Sequence, residues 1–176
     1  MDSDPRKPFA VRIPGAVVAA VLAAASASGA PSPDPSLPLT LTDPVRERPV
    51  ELHPGAPVLH LVFFATWCPP CRDELGRLTE LVTRWGDRGY RLVVIAVPAR
   101  QSAERLREYL ATEAVEGEFL FDATGAAQTK FRTKHLPSHV LLDTSGEVVL
   151  RAPSLNDEIE STIERMLTEH AKGTGE

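Results

Sequence analysis

The strongest constraint on the fold is a change of hydrophobic period at the only two cysteines of the chain. Residues 58–65 form an apolar run that predicts a buried β-strand. Beyond the second cysteine, apolar side chains fall on one face of a predicted helix: Leu75, Leu78, Val82 and Trp85. The cysteines therefore lie where a strand gives way to a helix, with Cys68 at the helix start and Cys71 one turn later.

This junction favours redox chemistry of the two sulfurs. Residues three apart on a helix are neighbours, so Cys68 and Cys71 can form a disulfide without strain. Free N–H groups at a helix start stabilise a thiolate, which predicts a lowered pKa for Cys68. Pro69 and Pro70 suit the first helical turn, because a missing N–H costs least there.

The composition indicates one ordinary globular domain with additional segments. The chain has 176 residues, 43% of them hydrophobic, and a net charge of −5. It has no basic stripe and no phosphate-binding glycine loop, so nucleic acid is not an expected partner and no cofactor is implied. Two cysteines cannot build a disulfide scaffold, so an ordinary core must stabilise the fold and the pair is free for chemistry.

The first 27 residues have the pattern of an export signal. Basic residues at positions 6, 7 and 12 precede a short apolar run over residues 16–25, and a small-x-small cleavage pattern ends at Ala27. The run is shorter than the ~20 residues that a membrane span needs. We therefore expect a cleaved signal peptide, rather than an N-terminal anchor, and a periplasmic or otherwise extracytoplasmic protein. A dithiol there must be kept reduced by a dedicated donor, so we expect an upstream membrane electron donor.

The rest of the chain divides into a linker and a domain. Residues 28–49 are rich in proline and serine and predict a linker, with a short edge strand at residues 37–41. Residues 50–172 predict the folded domain, whose main elements from residue 58 follow the order β-α-β-α-β-α-β-β-α. Strands joined through helices imply parallel pairs, and the last hairpin implies an antiparallel edge. The predicted fold class is α/β, a mixed central sheet with helices on both faces.

Two segments resemble one known family. Residues 63–75 resemble the motif of the TlpA/ResA-like thiol-disulfide oxidoreductases, thioredoxin-like proteins that run Phe-Trp-Ala-Thr-Trp-Cys-Pro-Pro-Cys-Arg-x-Glu. Residues 136–147 resemble the x-Pro-Thr segment, strand and Asp-x-x-Gly hairpin of that family. The resemblance covers roughly residues 50–170. It implies a thioredoxin-like fold and a secreted enzyme that reduces disulfides in a substrate protein, with cytochrome c maturation or envelope redox homeostasis as its setting.

The resemblance also implies roles for individual residues. Cys68 attacks the substrate disulfide, and Cys71 resolves the mixed disulfide that results. Pro137 follows a cis peptide bond and faces the cysteine pair, which proline permits at low cost. Three residues are implied to contact an extended substrate segment: Trp67, Leu136 and Ser138.

Some residues depart from the family pattern. Val62 stands where relatives often carry Asn or Asp, so this chain lacks that buried acid. Glu74 matches the acidic residue of the family, and either Glu74 or water is expected to accept the proton of Cys71. Gly76 replaces a frequent proline that kinks the helix, which puts that kink in question, and His135 replaces a usual glycine and narrows the substrate groove.

Three other interpretations of the cysteine pair are open. A metal-binding or copper-delivery protein would use Cys68 and Cys71 with His135 or His139, whose local spacings match a zinc site. A peroxidase of the peroxiredoxin type needs a threonine where this chain has Ala65, three residues before Cys68. A purely structural disulfide would gain little, because it closes a very short loop. The remaining histidines are expected to be surface or hydrogen-bonded residues outside any constellation: His53, His60 and His170.

Overall fold

The computed structural model describes residues 37–113 and 116–174. The predicted signal peptide and the first part of the predicted linker lie outside these ranges. The described strands are β1 (Leu39–Asp43), β2 (Arg48–Leu52), β3 (Val58–Phe64), β4 (Tyr90–Ala96), β5 (Glu118–Phe121), β6 (Ser138–Leu142) and β7 (Val148–Ala152). The described α-helices are α1 (Pro69–Asp73), α2 (Leu75–Trp85), α3 (Ala103–Leu110), α4 (Ala126–Lys130) and α5 (Asp157–Gly173).

The strands form one mixed sheet in the order β2-β1-β5-β4-β3-β6-β7. The pairs β3–β4 and β4–β5 are parallel, and each is joined through helix, whereas β6 and β7 form the antiparallel hairpin at one edge. The predicted element order from residue 58 onwards and the predicted mixed sheet are confirmed. Within the described ranges, no helix has both the length and the apolar character of a membrane span.

The strand β3 is the centre of the fold. It pairs with β4 on one side and with β6 on the other, and every one of its residues is buried. A strand covered on both faces reads as a continuous apolar run, which is the pattern seen in the sequence. Because β3 leads directly to the cysteines, the best-buried strand of the sheet holds them in place.

Helices cover both faces of the sheet. Phe63 and Phe64 are successive residues of β3, so their side chains point to opposite faces. The Phe64 ring lies 5.7 Å from that of Tyr109 in α3, and the Phe63 ring lies 6.0 Å from that of Phe131, which ends α4. The predicted covering of the sheet on both faces is therefore confirmed.

The sheet begins earlier in the chain than the sequence indicates. β1 lies inside the sheet, between β2 and β5, and the short strand predicted at an edge is instead an interior strand. Leu39 and Leu41 of β1 point into the core and are buried. The described part of the predicted linker, residues 37–49, thus contributes one strand and the start of β2.

Candidate redox site

Cys68 and Cys71 form a disulfide at the start of α1, with their Cα atoms 5.4 Å apart. A tight turn after β3 brings the chain there, since the Cys68 N–H donates to the Ala65 carbonyl over 3.0 Å. Cys68 caps α1, and its Sγ accepts a hydrogen bond from the Cys71 N–H over 3.3 Å. A backbone N–H in this position is a donor from which a thiolate can accept. The predicted position of both cysteines is confirmed.

Two residues of the loop that follows β4 contact the Trp67 side chain. Its Nε1 donates to the Ala99 carbonyl over 2.7 Å, and the Arg100 guanidinium carbon lies 3.8 Å from its ring centroid. The ring is half-buried beside the exposed Pro69 and Pro70. A hydrogen bond and a cation–π contact therefore orient the indole next to the cysteine pair.

The segment around Pro137 reaches the same end of β3. The peptide bond between Leu136 and Pro137 is cis, as the resemblance implied. Ser138 follows at once, pairs with Phe63 in the β3–β6 register, and donates its hydroxyl to the His135 carbonyl over 2.7 Å. The antiparallel pairing thus places the start of β6 beside the end of β3 that leads to the cysteines.

Glu74 lies between α1 and α2, three residues after Cys71, and both of its carboxylate oxygens have partners. Oε1 accepts from the Leu155 N–H over 2.9 Å, and Oε2 lies 2.9 Å from Nε2 of His139. The Glu74 side chain is 16% exposed, whereas that of His139 is 1% exposed. The carboxylate is therefore held in a nearly closed polar site rather than in open solvent.

The contact with His139 is one end of a longer series of hydrogen bonds. Nδ1 of His139 lies 3.0 Å from Nε2 of His60, and Nδ1 of His60 lies 2.8 Å from the Tyr90 hydroxyl. These residues come from three adjacent strands, β6, β3 and β4, and all three are buried. We call the series Glu74, His139, His60 and Tyr90 the histidine chain.

Burial shifts the proton affinities within the histidine chain. Loss of solvent, with a smaller contribution from the neighbouring His139, holds the pKa of His60 well below its usual 6.5. Burial, with a smaller contribution from Glu160, raises the pKa of Tyr90 above its usual value. His60 is therefore neutral and Tyr90 keeps its proton at neutral pH.

The histidine chain corrects one prediction and constrains another. The prediction that His60 belongs to no constellation is wrong, although His53 and His170 are indeed exposed. Both ring nitrogens of His139 are already hydrogen-bonded, and His135 is exposed. Among the described residues, no group of three or more His, Cys, Asp or Glu side chains is arranged to hold a metal ion.

The chain is similar to known proteins. The sequence profile of the AhpC/TSA family matches residues 29–151. The chain is 30% identical over 91 residues to the thioredoxin-like protein YneN of Bacillus subtilis, covering 50% of this chain and 51% of that protein. It is 21% identical over 108 residues to the thiol-disulfide oxidoreductase ResA of Bacillus thuringiensis, covering 60% of this chain and 61% of that protein. The chain thus spans between half and two thirds of the length of these relatives.

A solved structure shows the same fold. The exposed lipoprotein thioredoxin of Streptococcus pneumoniae superposes with a TM-score of 0.63 at 20% sequence identity, covering 73% of this chain and 99% of that one. The predicted thioredoxin-like fold is confirmed, and so is the resemblance to thiol-disulfide oxidoreductases.

Proposed function

Since the chain belongs to the AhpC/TSA family, we propose that it is a protein thiol-disulfide oxidoreductase that acts as a reductase. One observation carries this proposal. A buried disulfide joins Cys68 and Cys71 at the start of a helix, and the Cys71 N–H donates to the Cys68 sulfur. Such an N–H favours the thiolate of the first cysteine, which is the attacking species in disulfide exchange.

The proposed reaction starts from the reduced pair. The Cys68 thiolate attacks one sulfur of a disulfide in a partner protein, which breaks that bond and releases the first partner thiolate. Glu74 accepts the proton of the Cys71 thiol, and the Cys71 sulfur attacks Cys68 and displaces the second partner thiolate. The partner gains two electrons, and its two thiolates take up one proton released by Glu74 and one from water. The Cys68–Cys71 pair loses two electrons and becomes a disulfide.

The proposed substrate is an extended segment beside the cis-proline. The backbone of Leu136 pairs with the segment as an added strand, and Pro137 holds that backbone in position. Ser138 and Trp67 line the approach, because they flank the end of β3 on the β6 side and on the loop side. The ring of Trp67 offers an apolar surface that is already oriented.

We propose that the protein works outside the cytoplasm. Its N-terminal sequence supports a cleaved signal peptide over residues 1–27 and a linker after it. A membrane protein would supply electrons to the oxidised pair, and cytochrome c maturation is the proposed setting. The relative named ResA, a thiol-disulfide oxidoreductase, supports the reaction class.

Two cysteine variants test the function. We expect Cys68→Ser to lower turnover of a disulfide-bonded peptide at least a hundredfold, because it removes the attacking sulfur. We expect Cys71→Ser to accumulate the mixed disulfide with that peptide, which mass spectrometry detects. Full turnover by Cys68→Ser would refute the proposal. The exposed His170→Gln serves as the matched control and should retain wild-type turnover.

The reduction potential of the pair tests the direction of electron flow. A value close to that of thioredoxin, about −270 mV, agrees with a reductase, whereas a value near −120 mV would indicate an oxidant. The reduced protein should also react much more slowly with hydrogen peroxide than with the disulfide peptide. The reverse preference would favour a peroxidase.

A further inference from the structure

The histidine chain ends on the residue that is proposed to receive the proton of Cys71. Glu74 lies three residues after Cys71 and is the C-terminal cap of α1, where its backbone is still helical, so the two residues are neighbours on the helix surface. Its Oε2 is bonded to His139, and behind His139 stand His60 and Tyr90. A series of buried polar groups is costly unless every member is satisfied. The only buried side-chain polar atom without a partner in the described ranges lies elsewhere, at Thr133.

The hydroxyl of Tyr90 decides where the protons of the histidine chain sit. Tyr90 keeps its proton, so its hydroxyl can donate to Nδ1 of His60, which lies 2.8 Å away. In that arrangement a neutral His60 carries its own proton on Nε2 and donates to Nδ1 of His139. His139 in turn carries its proton on Nε2 and donates to Oε2 of Glu74. Every donor in the series thus points towards the carboxylate.

We propose that His139, oriented by His60 and Tyr90, is a positioning residue that holds the Glu74 carboxylate in place as the acceptor for the Cys71 proton. The proposal rests on the proposed function, because Glu74 matters in this way only if Cys71 resolves a mixed disulfide. An N–H that donates to a carboxylate oxygen fixes the distance and direction of that oxygen. The Leu155 N–H donates to the other oxygen, so the carboxylate is held at both ends.

Other charged groups near the histidine chain are paired at its far end. Glu160 of α5 is the carboxylate that acts on Tyr90. It is bound by two arginines of α2, since Arg77 lies 2.5 Å and Arg84 lies 3.4 Å from its oxygens. These ion pairs compensate the charge of Glu160, which leaves Glu74 as the carboxylate hydrogen-bonded within the histidine chain.

The proton transfer at Cys71 can be measured separately from the attack by Cys68. Reduced protein is mixed with dithiobis(nitrobenzoate) in a stopped-flow instrument between pH 5 and pH 9. Cys68 attacks first and releases one thionitrobenzoate. Cys71 then resolves the mixed disulfide and releases the second. The first phase tests the proposed function, and the pH profile of the second phase tests the role of the histidine chain.

Four variants distinguish positioning from simple packing. We expect His139→Phe to raise the pH of half-maximal resolution by about one unit or more, because a displaced Glu74 no longer accepts the Cys71 proton, which must then leave to water. His139→Gln restores an N–H donor, so its pH profile should lie close to that of the wild type. Tyr90→Phe should shift the profile in the same direction as His139→Phe, since His60 is then free to move its proton to Nδ1. His170→Gln is the matched control and should leave the profile unchanged.

The proposal is overturned if His139→Phe and wild type have the same second-phase profile, or if His139→Gln restores nothing. A second measurement uses the wild-type protein alone and therefore tests the proposal even if the variants do not fold. The nitrogen chemical shifts of ¹⁵N-labelled histidine report which ring nitrogen carries the proton, and we expect Nε2–H in both His60 and His139. An Nδ1–H form of either residue at neutral pH would also overturn it. Absence of the first phase would instead refute the proposed function.

Discussion

His60 is the only polar side chain in β3, a strand in which every residue is buried. A polar group in such a place must find a hydrogen-bonding partner, so its presence in an apolar run is itself a signal. The sequence did not name the partner, because His139 lies 79 positions further on. The nearest local pattern, the spacing of His135 and His139, indicated a metal site, whereas His135 is exposed and His139 belongs to the histidine chain.

Gln101 acts as a clamp on the residues that precede the cysteines. Its Oε1 accepts from the Thr66 backbone N–H over 2.9 Å and from the Thr66 hydroxyl over 3.0 Å. Its Nε2 donates to the Val97 carbonyl over 2.6 Å. One amide therefore ties the turn after β3 to the end of β4.

We predict that Gln101→Ala lowers the free energy of unfolding by about 1–3 kcal/mol. The substitution leaves the buried Thr66 N–H without its partner, and an unpaired buried donor carries that cost. Urea denaturation measures the change. Gln101→Glu keeps the acceptor for Thr66 and should lose less. Equal stability of Gln101→Ala and wild type would contradict the clamp.

At the scale of elements, the helix that carries the cysteines is broken without a proline. α1 ends at Asp73 and α2 begins at Leu75, so the interruption falls on Glu74, two residues before Gly76. The Glu74 side chain bonds to the Leu155 N–H and to His139 instead of facing solvent. In the family that the sequence resembles, a proline at the position of Gly76 often kinks this helix. Here the helix is interrupted without that proline, and hydrogen bonds from distant residues hold Glu74 at the interruption.

The strands β1 and β2 extend the sheet into a segment that the sequence predicts to be mostly linker. β1 pairs in full register with β2 and also pairs with β5 through Thr42 and Phe121. Prolines in the surrounding sequence disguise this pairing, since proline-rich stretches are typical of linkers. The buried Leu39 and Leu41 show that the segment contributes to the core.

We predict that a chain beginning at Val50 is less stable than one beginning at Leu37 by roughly 4 kcal/mol or more. The shorter chain loses Leu37, Leu39 and Leu41, and burial of each leucine contributes about 1.5–3 kcal/mol. It also leaves β2 without its partner. Guanidinium denaturation of both chains provides the comparison. Equal midpoints would place the domain boundary at Val50, as the sequence predicts.

The pairing of strands across the sheet brings the members of the histidine chain together. The β3–β6 register pairs Val62 with His139 and Leu141 with His60, so the two imidazoles lie diagonally on one face. Tyr90, at the start of β4, reaches the same face from the other side. A shift of one residue in either pairing would turn these side chains to the opposite face.

We predict that the protein loses stability as the pH falls from 6.5 towards 5. The folded-state pKa of His60 is lowered, so below pH 6.5 the unfolded chain binds a proton that the folded chain does not. The free energy of unfolding then falls by about 1.4 kcal/mol per pH unit for this one group. Thermal unfolding across this range measures the slope.

His60→Gln is the control for this pH dependence. It removes the titrating group, so its slope between pH 5 and pH 6.5 should be smaller than that of wild type. Asp43 titrates in a lower pH range, because the N–H and guanidinium of Arg46 hold the pKa of its carboxyl below 3.8. A wild-type slope that persists unchanged in His60→Gln would contradict the assignment.

The sequence alone determined the local features of the redox site. The change of hydrophobic period placed the cysteines at a strand-to-helix junction, and Cys68 is indeed the N-cap of the helix. The motif around Pro137 implied the cis peptide bond that precedes this proline. These features depend on a few consecutive residues, whose dihedral preferences and hydrogen bonds are local. The order of elements from β3 onwards followed from the same local patterns.

The surroundings of Glu74 depend on contacts between residues far apart in the sequence. The partners of its carboxylate come from β6 and from the segment before α5, and the groups behind them come from β3 and β4. Their meeting depends on strand register and helix packing, which bring together residues far apart in the chain and which no short stretch encodes. The sequence therefore identified the two sulfurs, and the fold identified the groups that hold Glu74.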